Sequence, residues 1–401
     1  MNVLYLSLLC SKNLLEMLRT ISNSNPGYAG QKFDRLIIEG LIKNGCSCLA
    51  VSSIPVNRAI SKKRWWNIAD ETYNGIRIKY LPFLNYPFLR QLSLFIFTVF
   101  SVLKWGLKNR KDKVIIADVL NFAICGAGML VAKLLGIRII GVVTDMPGLL
   151  VNAGGTKENF FSKFKSITKF MEKSIYHYDG YVFLTEQMNS VINIKQVPYI
   201  VMEGLVDSEI CKSEYPLSHT TEKIILYAGG LHVRYGLKTL VEAFMKIHDA
   251  DLRLCIFGSG PFAHDLQSYY TKLDHRIVYK GVVSNEEIIA AEKASILLVN
   301  PRPTKEAFTL YSFPSKNMEY MVSGRPLLTT KLPGMPPEYH KYVYLFNEES
   351  VVGYVEALES VLNLSPEELD NKGREAKAWI LENKNNIAQS SRIIKLINRL
   401  N

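Results

Sequence analysis

Short β-branched runs alternate with helical stripes along almost the whole chain, and that alternation limits the fold to parallel α/β architecture. Val3 to Leu9 reads as a first strand, and CSCLAVSS as a second. Between them, Phe33, Leu36, Ile37 and Leu41 recur at helical spacing, with Gly45 at the stop. KVIIADV (113–119), RIIGVVTD (138–145), GYVFLT (180–185) and YIVMEG (199–204) continue the series, with a small-residue helix over Ala123 to Leu135. Such near-continuous apolar runs are typical of strands buried on both faces.

The same pattern then restarts. KIILYAGG, LRLCIFGSGP, RIVYKG, ILLVN, RPLLTT and YVYLF read as strands. Leu237, Leu240, Val241, Phe244 and Met245 form one helical stripe, and Ser365-Pro366-Glu367-Glu368 is a capping box that opens a helical tail. The fold class is therefore α/β, with two doubly wound Rossmann-like domains facing across a cleft. Val206 to Thr221, which lacks either periodicity, marks the boundary. The expected domains are 1–205 and 206–384, with a C-terminal helix at about 385–401 packing back on the first. Ligands of open α/β sheets bind at the carboxyl ends of the strands.

Charge narrows the partner. Lys plus Arg is 48 and Asp plus Glu is 37, a net +11 over 401 residues. Arg58 to Lys113 alone carries twelve basic and three acidic residues. An anionic partner follows: nucleic acid, a lipid surface or a phosphorylated substrate. No helix-turn-helix, zinc-finger or ribonucleoprotein pattern is present, so nucleic acid is not expected. Lys62, Lys63 and Arg64 run into Trp65 and Trp66, and an apolar stretch ends at Trp105 among further cations. Cations beside tryptophan suit a bilayer interface, so these six residues are expected to touch a membrane. An uncharged apolar run of thirteen residues covers 91–103. A spanning helix needs about 20, so contact from one side is expected. The N-terminus has no basic n-region or small-residue cleavage site, and the six cysteines lack redox or zinc spacing. Reduced thiols in a cytoplasmic protein, peripheral on the inner face of the membrane, follow.

The chemistry-bearing residues lie in the second half. In SFPSKNMEYMVSG (312–324), Ser312 can cap a helix, Pro314 suits the first turn and Gly324 closes it. Ser315 and Lys316 then sit where free N–H groups and the helix dipole favour an anion. Glu319, three residues on, can accept two hydrogen bonds from a ribose diol. A surface helix with an i,i+3 ion pair is the plainer reading of the same residues. YAGGLHVRYG (227–236) and FGSGP (257–261) are glycine-rich turns after strands, where backbone can approach phosphate. No His cluster has metal spacing, and Asp249-Ala250-Asp251 reads as a surface turn, so no metal or other cofactor is expected.

In this order the segments resemble the family 4 glycosyltransferases of the GT-B fold, most strongly over about Ile224 to Tyr339. The familiar G-R-L-x-x-x-K-G, G-x-G-P, V/I-x-x-x-G and E-x7-E patterns read here YAGGLHVRYG, FGSGP, IVYKG and SFPSKNMEYMVSG. NPRPT…YSFPSK-x-x-EYM-x-SG looks like a subgroup of bacterial capsule, exopolysaccharide and O-antigen transferases. The resemblance implies that Glu319 binds the ribose and that backbone at Tyr311, Ser312 and Phe313 holds the diphosphate beside Gly229 and Gly230. The family's Arg is Gly230 here, its Lys is Tyr235, and its first Glu is Tyr311. Arg302 and Lys316, with Arg234 in reserve, are the available replacement cations, and Glu306 can contact donor-sugar hydroxyls. In the first half, Gly27, Gly30 and Lys32 match a glycine-rich loop near donor phosphate and acceptor. Asp145, ending a buried strand, matches an acceptor-facing base or orienting group, with Asp118 a further candidate.

The implied activity is a retaining, metal-independent transfer from a UDP-sugar to a lipid-linked oligosaccharide in surface polysaccharide synthesis. Two other readings stay open. One is a GT-B epimerase or phosphorylase acting on a soluble sugar. The other is a partner subunit that kept the fold and lost catalysis.

Overall fold

The computed structural model describes residues 1–21, 28–58, 60–109, 111–146, 173–209 and 223–400. Two compact units result: Met1–Leu205 with Asn386–Asn401, and Val206–Asn385.

In the first unit the strands are β1 (Asn2–Ser7), β2 (Ser47–Ser52), β3 (Trp65–Trp66), β4 (Glu71–Tyr73), β5 (Ile76–Tyr80), β6 (Phe83–Leu84), β7 (Lys113–Asp118), β8 (Arg138–Val143), β9 (Gly180–Phe183) and β10 (Tyr199–Val201). The main sheet runs β10-β9-β8-β7-β1-β2-β5-β4 among the described residues, parallel except for β4 against β5. Val3, Leu4, Tyr5 and Leu6 of β1 are fully buried, because helices cover both faces of a central parallel strand. Those helices include α1 (Lys12–Ile21), α2 (Tyr28–Lys43), α3 (Pro87–Lys108), α4 (Phe122–Leu135) and α5 (Glu186–Ile192). The chain winds out from β1 in both directions, which puts the switch point between β1 and β7.

The second unit is the simpler case. Its strands are β11 (Lys223–Gly230), β12 (Leu252–Ser259), β13 (Ile277–Gly281), β14 (Leu297–Asn300), β15 (Leu327–Thr329) and β16 (Tyr344–Leu345). Their order, β13-β12-β11-β14-β15-β16, is all parallel and has the doubly wound 3-2-1-4-5-6 form. Around it lie α6 (Leu237–Phe244), α7 (Asn285–Ala294), α8 (Ser315–Ser323), α9 (Val351–Leu362) and α10 (Pro366–Asn383). Leu237, Leu240, Val241 and Phe244 of α6 are fully buried and share a core with Tyr354 and Leu358 of α9. Met318, Tyr320 and Met321 of α8 share the opposite core with Ala376 and Ile380 of α10. Burial of each large apolar side chain contributes about 1.5–3 kcal/mol, so the stripes decide which face each helix turns inward. Ser284–Glu287 and Ser365–Glu368 both form reciprocal capping boxes.

The last helix, α11 (Asn386–Asn398), belongs to the first unit and crosses α2 at Gly40. A Cβ on Gly40 would lie 2.1 Å from the Asn386 carbonyl oxygen. Ser390 donates to the Ile37 carbonyl at 3.0 Å and Asn44 to the Ile387 carbonyl at 2.9 Å.

Two of the tryptophans expected at a membrane are core residues. Trp66 is 3% exposed and stacks on Phe83 at 6.5 Å, because the pleat of the β3–β6 pair sends alternate residues to opposite faces. Trp65 accordingly points outward at 43% exposure, and Lys62, Lys63 and Arg64 are exposed. Trp105 is 9% exposed, on the same side of α3 as the buried Thr98 and Val102. The thirteen-residue apolar run is the middle of α3, a 22-residue helix whose most apolar 18 residues have a mean hydropathy of 1.3, long and apolar enough to cross a bilayer.

Gly40→Ala should force α11 away from α2 at a cost of about 1–3 kcal/mol. A drop of several degrees in Tm by calorimetry is the expected reading, and an unchanged Tm would show that the contact yields freely.

Candidate functional site

The switch point of the second unit lies between β11 and β14, and the residues at those strand ends form a cation-lined turn. After Gly230 the chain makes a single 3-10 turn, Val233–Tyr235, and reaches Gly236 at φ 81°. A Cβ on Gly236 would stand 1.9 Å from the Pro301 carbonyl oxygen. Only glycine allows both that φ and that approach, so this residue seats the first loop against the end of β14. Gly258 does the same one strand over: at φ 125° its Cβ would lie 1.9 Å from the Gly229 carbonyl oxygen.

This close approach brings two arginines onto the same pair of rings. The Arg302 guanidinium lies 4.8 Å from the Tyr235 ring centroid and 5.5 Å from that of Phe308. Arg234 lies 5.4 Å from each. The two rings meet edge to face at 6.1 Å. Each cation–π contact contributes about 0.5–2 kcal/mol, enough to hold like charges together. No carboxylate pairs with either arginine among the described residues, and Arg302 Nε is buried without a hydrogen-bond partner. Burial lowers the Arg302 pKa, and the charge of Arg234 lowers it further. Tyr227, pushed up to about 12 by burial, is drawn the other way by Arg302. Two close cations with no counter-charge form an electrostatic site for an anion carrying more than one negative charge.

The loop beyond Arg302 is anchored at its start. Thr330 Oγ1 donates to the Arg302 carbonyl at 2.5 Å, and the Thr304 N–H reaches both Glu349 oxygens at 3.0 Å. Glu306 begins the 3-10 turn 307–311, where its carbonyl accepts from the Thr309 amide at 2.9 Å, and its side chain is partly exposed. Tyr311 ends that turn. Phe313 turns into the core against Tyr339 at 5.1 Å. α8 starts at Ser315 with Pro314 at its N-cap and no side-chain cap. Ser312 therefore does not cap the helix as expected; it stands two residues too early, in extended backbone, and its buried Oγ has no partner. The first turn of α8 is left without a side-chain acceptor for its main-chain N–H groups.

Lys316 and Glu319 form the i,i+3 ion pair at 2.9 Å, both about one-third exposed at 34%. The structure thus brings Arg302 together with Arg234 and gives Lys316 to Glu319. It also adds residues missed in the sequence. Tyr235 and Phe308 hold the arginines. Asn300 Nδ2 donates to Asn317 Oδ1 at 2.6 Å, and the Ala228 amide donates to the Tyr320 hydroxyl at 2.7 Å, fixing α8 to β14 and β11. Tyr235 had a signal, since an aromatic ring replaces an expected cation; Phe308, Asn317 and Tyr320 had none.

In the first unit the glycine-rich loop expected after β1 is partly helix. Gly30 and Lys32 lie on α2, both exposed, and Gly27 lies outside the described residues. The reason is Gln31, which accepts from the Cys10 amide at 2.7 Å and donates to the Leu8 carbonyl at 2.6 Å, stapling the start of α2 to the end of β1. A Cβ on Gly30 would meet nothing within 4 Å, so no close approach requires glycine there.

At the carboxyl end of this sheet sits a group of acids. Asp118 ends β7, accepting from the Leu120 amide at 3.3 Å and from Asn121 Nδ2 at 2.9 Å. Burial pushes its carboxyl up to about 6, and the charge of Asp145 adds to the rise. Asp145, in the bend after β8, is itself raised by burial. Asp34 accepts from the Tyr5 hydroxyl at 2.8 Å and is raised by burial and by Asp118. These carboxyls hold protons more tightly than free ones, which suits groups that exchange a proton near neutral pH.

Comparison with known proteins bears on the fold. Residues 222–363 match the family model described as Glycosyl transferases group 1. No curated protein matches the chain in sequence. Among solved structures, sucrose-phosphate synthase from Thermosynechococcus elongatus superposes at a TM-score of 0.62 with 14% identity, covering 100% of this chain and 99% of that one. The lipopolysaccharide outer core galactosyltransferase WaaB, in its apo form, gives 0.62 with 14% identity over 100% and 99%. Anabaena Alr3699/HepE in complex with UDP gives 0.59 with 12% identity over 100% of both chains. The fold is GT-B, two Rossmann-like units, and the match to the group 1 glycosyltransferase model lies in the second of them.

Asp118 supplies a pH test. Its folded pKa of about 6 lies above the ordinary 3.8, so the folded chain binds this proton more tightly. Its contribution to stability is present at low pH and is lost as pH rises from about 4 through about 6. Asp118→Asn should therefore gain stability over the wild type across that interval. Urea melts at pH 4.5 and 7.5 check it; equal differences at both pH values would contradict the assigned environment.

Proposed function

We propose that this chain is a retaining family 4 glycosyltransferase that takes a sugar from UDP and passes it to a lipid-linked saccharide at the inner face of the cell membrane. The observation that carries the donor half is the Arg302–Arg234 pair, uncompensated by carboxylate and held on Tyr235 and Phe308 at the switch point. A diphosphate is the dianion such a site suits, with the α8 N-terminus and the Ser312 hydroxyl as further donors. The matched family model and the UDP named in the Anabaena complex support a nucleotide-sugar donor.

In this reading the guanidiniums act on the leaving group. Charge builds on the departing diphosphate as the glycosidic bond breaks, and preorganised cations stabilise it without reorganising at that moment. Two fixed arginines can supply that neutralisation without a metal. Lys316 exchanges its Glu319 partner for phosphate, which frees the carboxylate to accept the ribose hydroxyls. The acceptor hydroxyl attacks the face the leaving group departs from, so the anomeric configuration is retained. Asp145 orients that hydroxyl or takes its proton, with Asp118 beside it. Glu306, on the partly exposed loop before the 3-10 turn, contacts the donor sugar. The lipid-linked acceptor rests on the resemblance of NPRPT…YSFPSK to transferases of surface polysaccharide.

Calorimetric titration with UDP tests the donor site. Arg302→Ala should weaken UDP binding about tenfold or more and lower kcat about 10²–10³-fold in a donor-hydrolysis or transfer assay. Lys316→Ala should lower both less than Arg302→Ala does, because Glu319 already shares its charge. UDP affinity left intact by Arg302→Ala would place the nucleotide elsewhere.

A further inference from the structure

We infer that the outward face of α3 seats the first unit on an anionic bilayer, with the helix lying in the plane of the membrane instead of crossing it. This deepens the membrane part of the reading above and is independent of its donor part.

The helix has two faces with opposite fates. Leu89, Leu92, Ile96, Phe100 and Leu107 recur at spacings of three, four, four and seven, which places them on one side. All are exposed, Phe100 and Leu107 by 65% and 66%. From Leu89 to Leu107 the stripe runs for about 27 Å at 1.5 Å per residue. Leu130 and Leu134 of the adjoining α4 are also exposed, at 45% and 68%. A contiguous apolar strip of this length on a folded surface marks a contact site.

The inner face argues against a spanning helix. Leu94, Thr98, Val102 and Trp105 are buried against the unit. A Cβ on Gly106 would come 2.6 Å from Leu135 Cδ1, so α3 and α4 are in close contact. Crossing a bilayer would strip α3 from this packing. Lying flat keeps the packing and buries only the stripe.

Charge selects the occupant. Lys104 and Lys108 are exposed along one flank of the stripe, and Phe97 precedes them on that flank by seven and eleven residues. The Trp65 ring meets Phe97 edge to face at 6.1 Å, which brings the exposed Lys62–Arg64 run to the same flank. Lys133 is exposed on α4. Against twelve basic residues between Arg58 and Lys113 stand only Asp70, Glu71 and Asp112. An apolar stripe bordered by lysine and one outward tryptophan matches an interface of acyl chains under anionic headgroups. A second copy of the chain would bring two such cationic borders together, which like charge opposes.

The test uses the full chain and two kinds of vesicle, one of phosphatidylcholine alone and one of equal parts phosphatidylglycerol and phosphatidylcholine. Co-flotation should show binding to the anionic vesicles and several-fold less to the neutral ones. Ile96→Glu with Phe100→Glu should lower anionic-vesicle binding about tenfold or more, with Tm and UDP binding as in the wild type. Lys104→Glu with Lys108→Glu, which leaves the stripe intact, should lower it several-fold and remove most of its salt dependence. The inference fails if the wild type does not float with anionic vesicles, or if the stripe variant floats as well as the wild type. It fails equally if the stripe variant's main effect is to abolish a dimer seen by sedimentation, which would make a second copy the occupant. Resistance of the membrane-bound chain to alkaline carbonate extraction would show a spanning helix instead. UDP titration of the same samples reads the donor site separately, so either reading can fall without the other.

Discussion

The carbonyl of Pro301 and the backbone of Gly236 meet so closely that no side chain fits between them. Most of what is distinctive in the second unit depends on that approach. It exists because β11 and β14 are neighbours, although about seventy residues separate them along the chain. A doubly wound sheet grows outward from its first strand in both directions, so the loops after strands one and four leave from adjacent ends. Glycine at positive φ lets one loop lie on the other. Arg234 and Arg302 then share a pair of rings that neither loop could supply alone.

The aromatic pair also accounts for how this chain departs from the family it resembles. Where an arginine and a lysine are expected in the first loop, Gly230 and Tyr235 stand. Arg302, from the end of β14, lies over the ring of Tyr235, which occupies the position of the expected lysine. A side chain that reads as a missing cation thus becomes the support for another. The exchange is chemically reasonable: guanidinium groups are weakly hydrated and stack on aromatic faces.

The first unit handles its polar residues differently. Its acids gather under the carboxyl ends of β1, β7 and β8, where burial raises Asp34, Asp118 and Asp145 together. Helix α3 divides its residues between a packed inner face and an apolar outer one. The tryptophans show why composition alone misleads. Trp65 and Trp66 are chemically identical neighbours, yet the two-residue period of a strand exposes one and buries the other.

Much of the fold was legible in the linear chain. Periodicity located the central strands and the α6 stripe, and local capping chemistry marked Ser365, because those signals act over a few residues. The glycine-rich turns and the Lys316–Glu319 spacing were equally readable, since a helix places i and i+3 side by side wherever it lies. Other features depended on residues far apart in sequence. Gln31 reaching back to Leu8 and Cys10 turned an expected loop into the start of α2. Phe308 reaches Arg234, 74 residues away, only through the sheet order, which brings that arginine beside Arg302. Local propensity sets the elements; which side chains finally touch is decided by strand order and close packing, because those alone bring distant segments within a few ångströms.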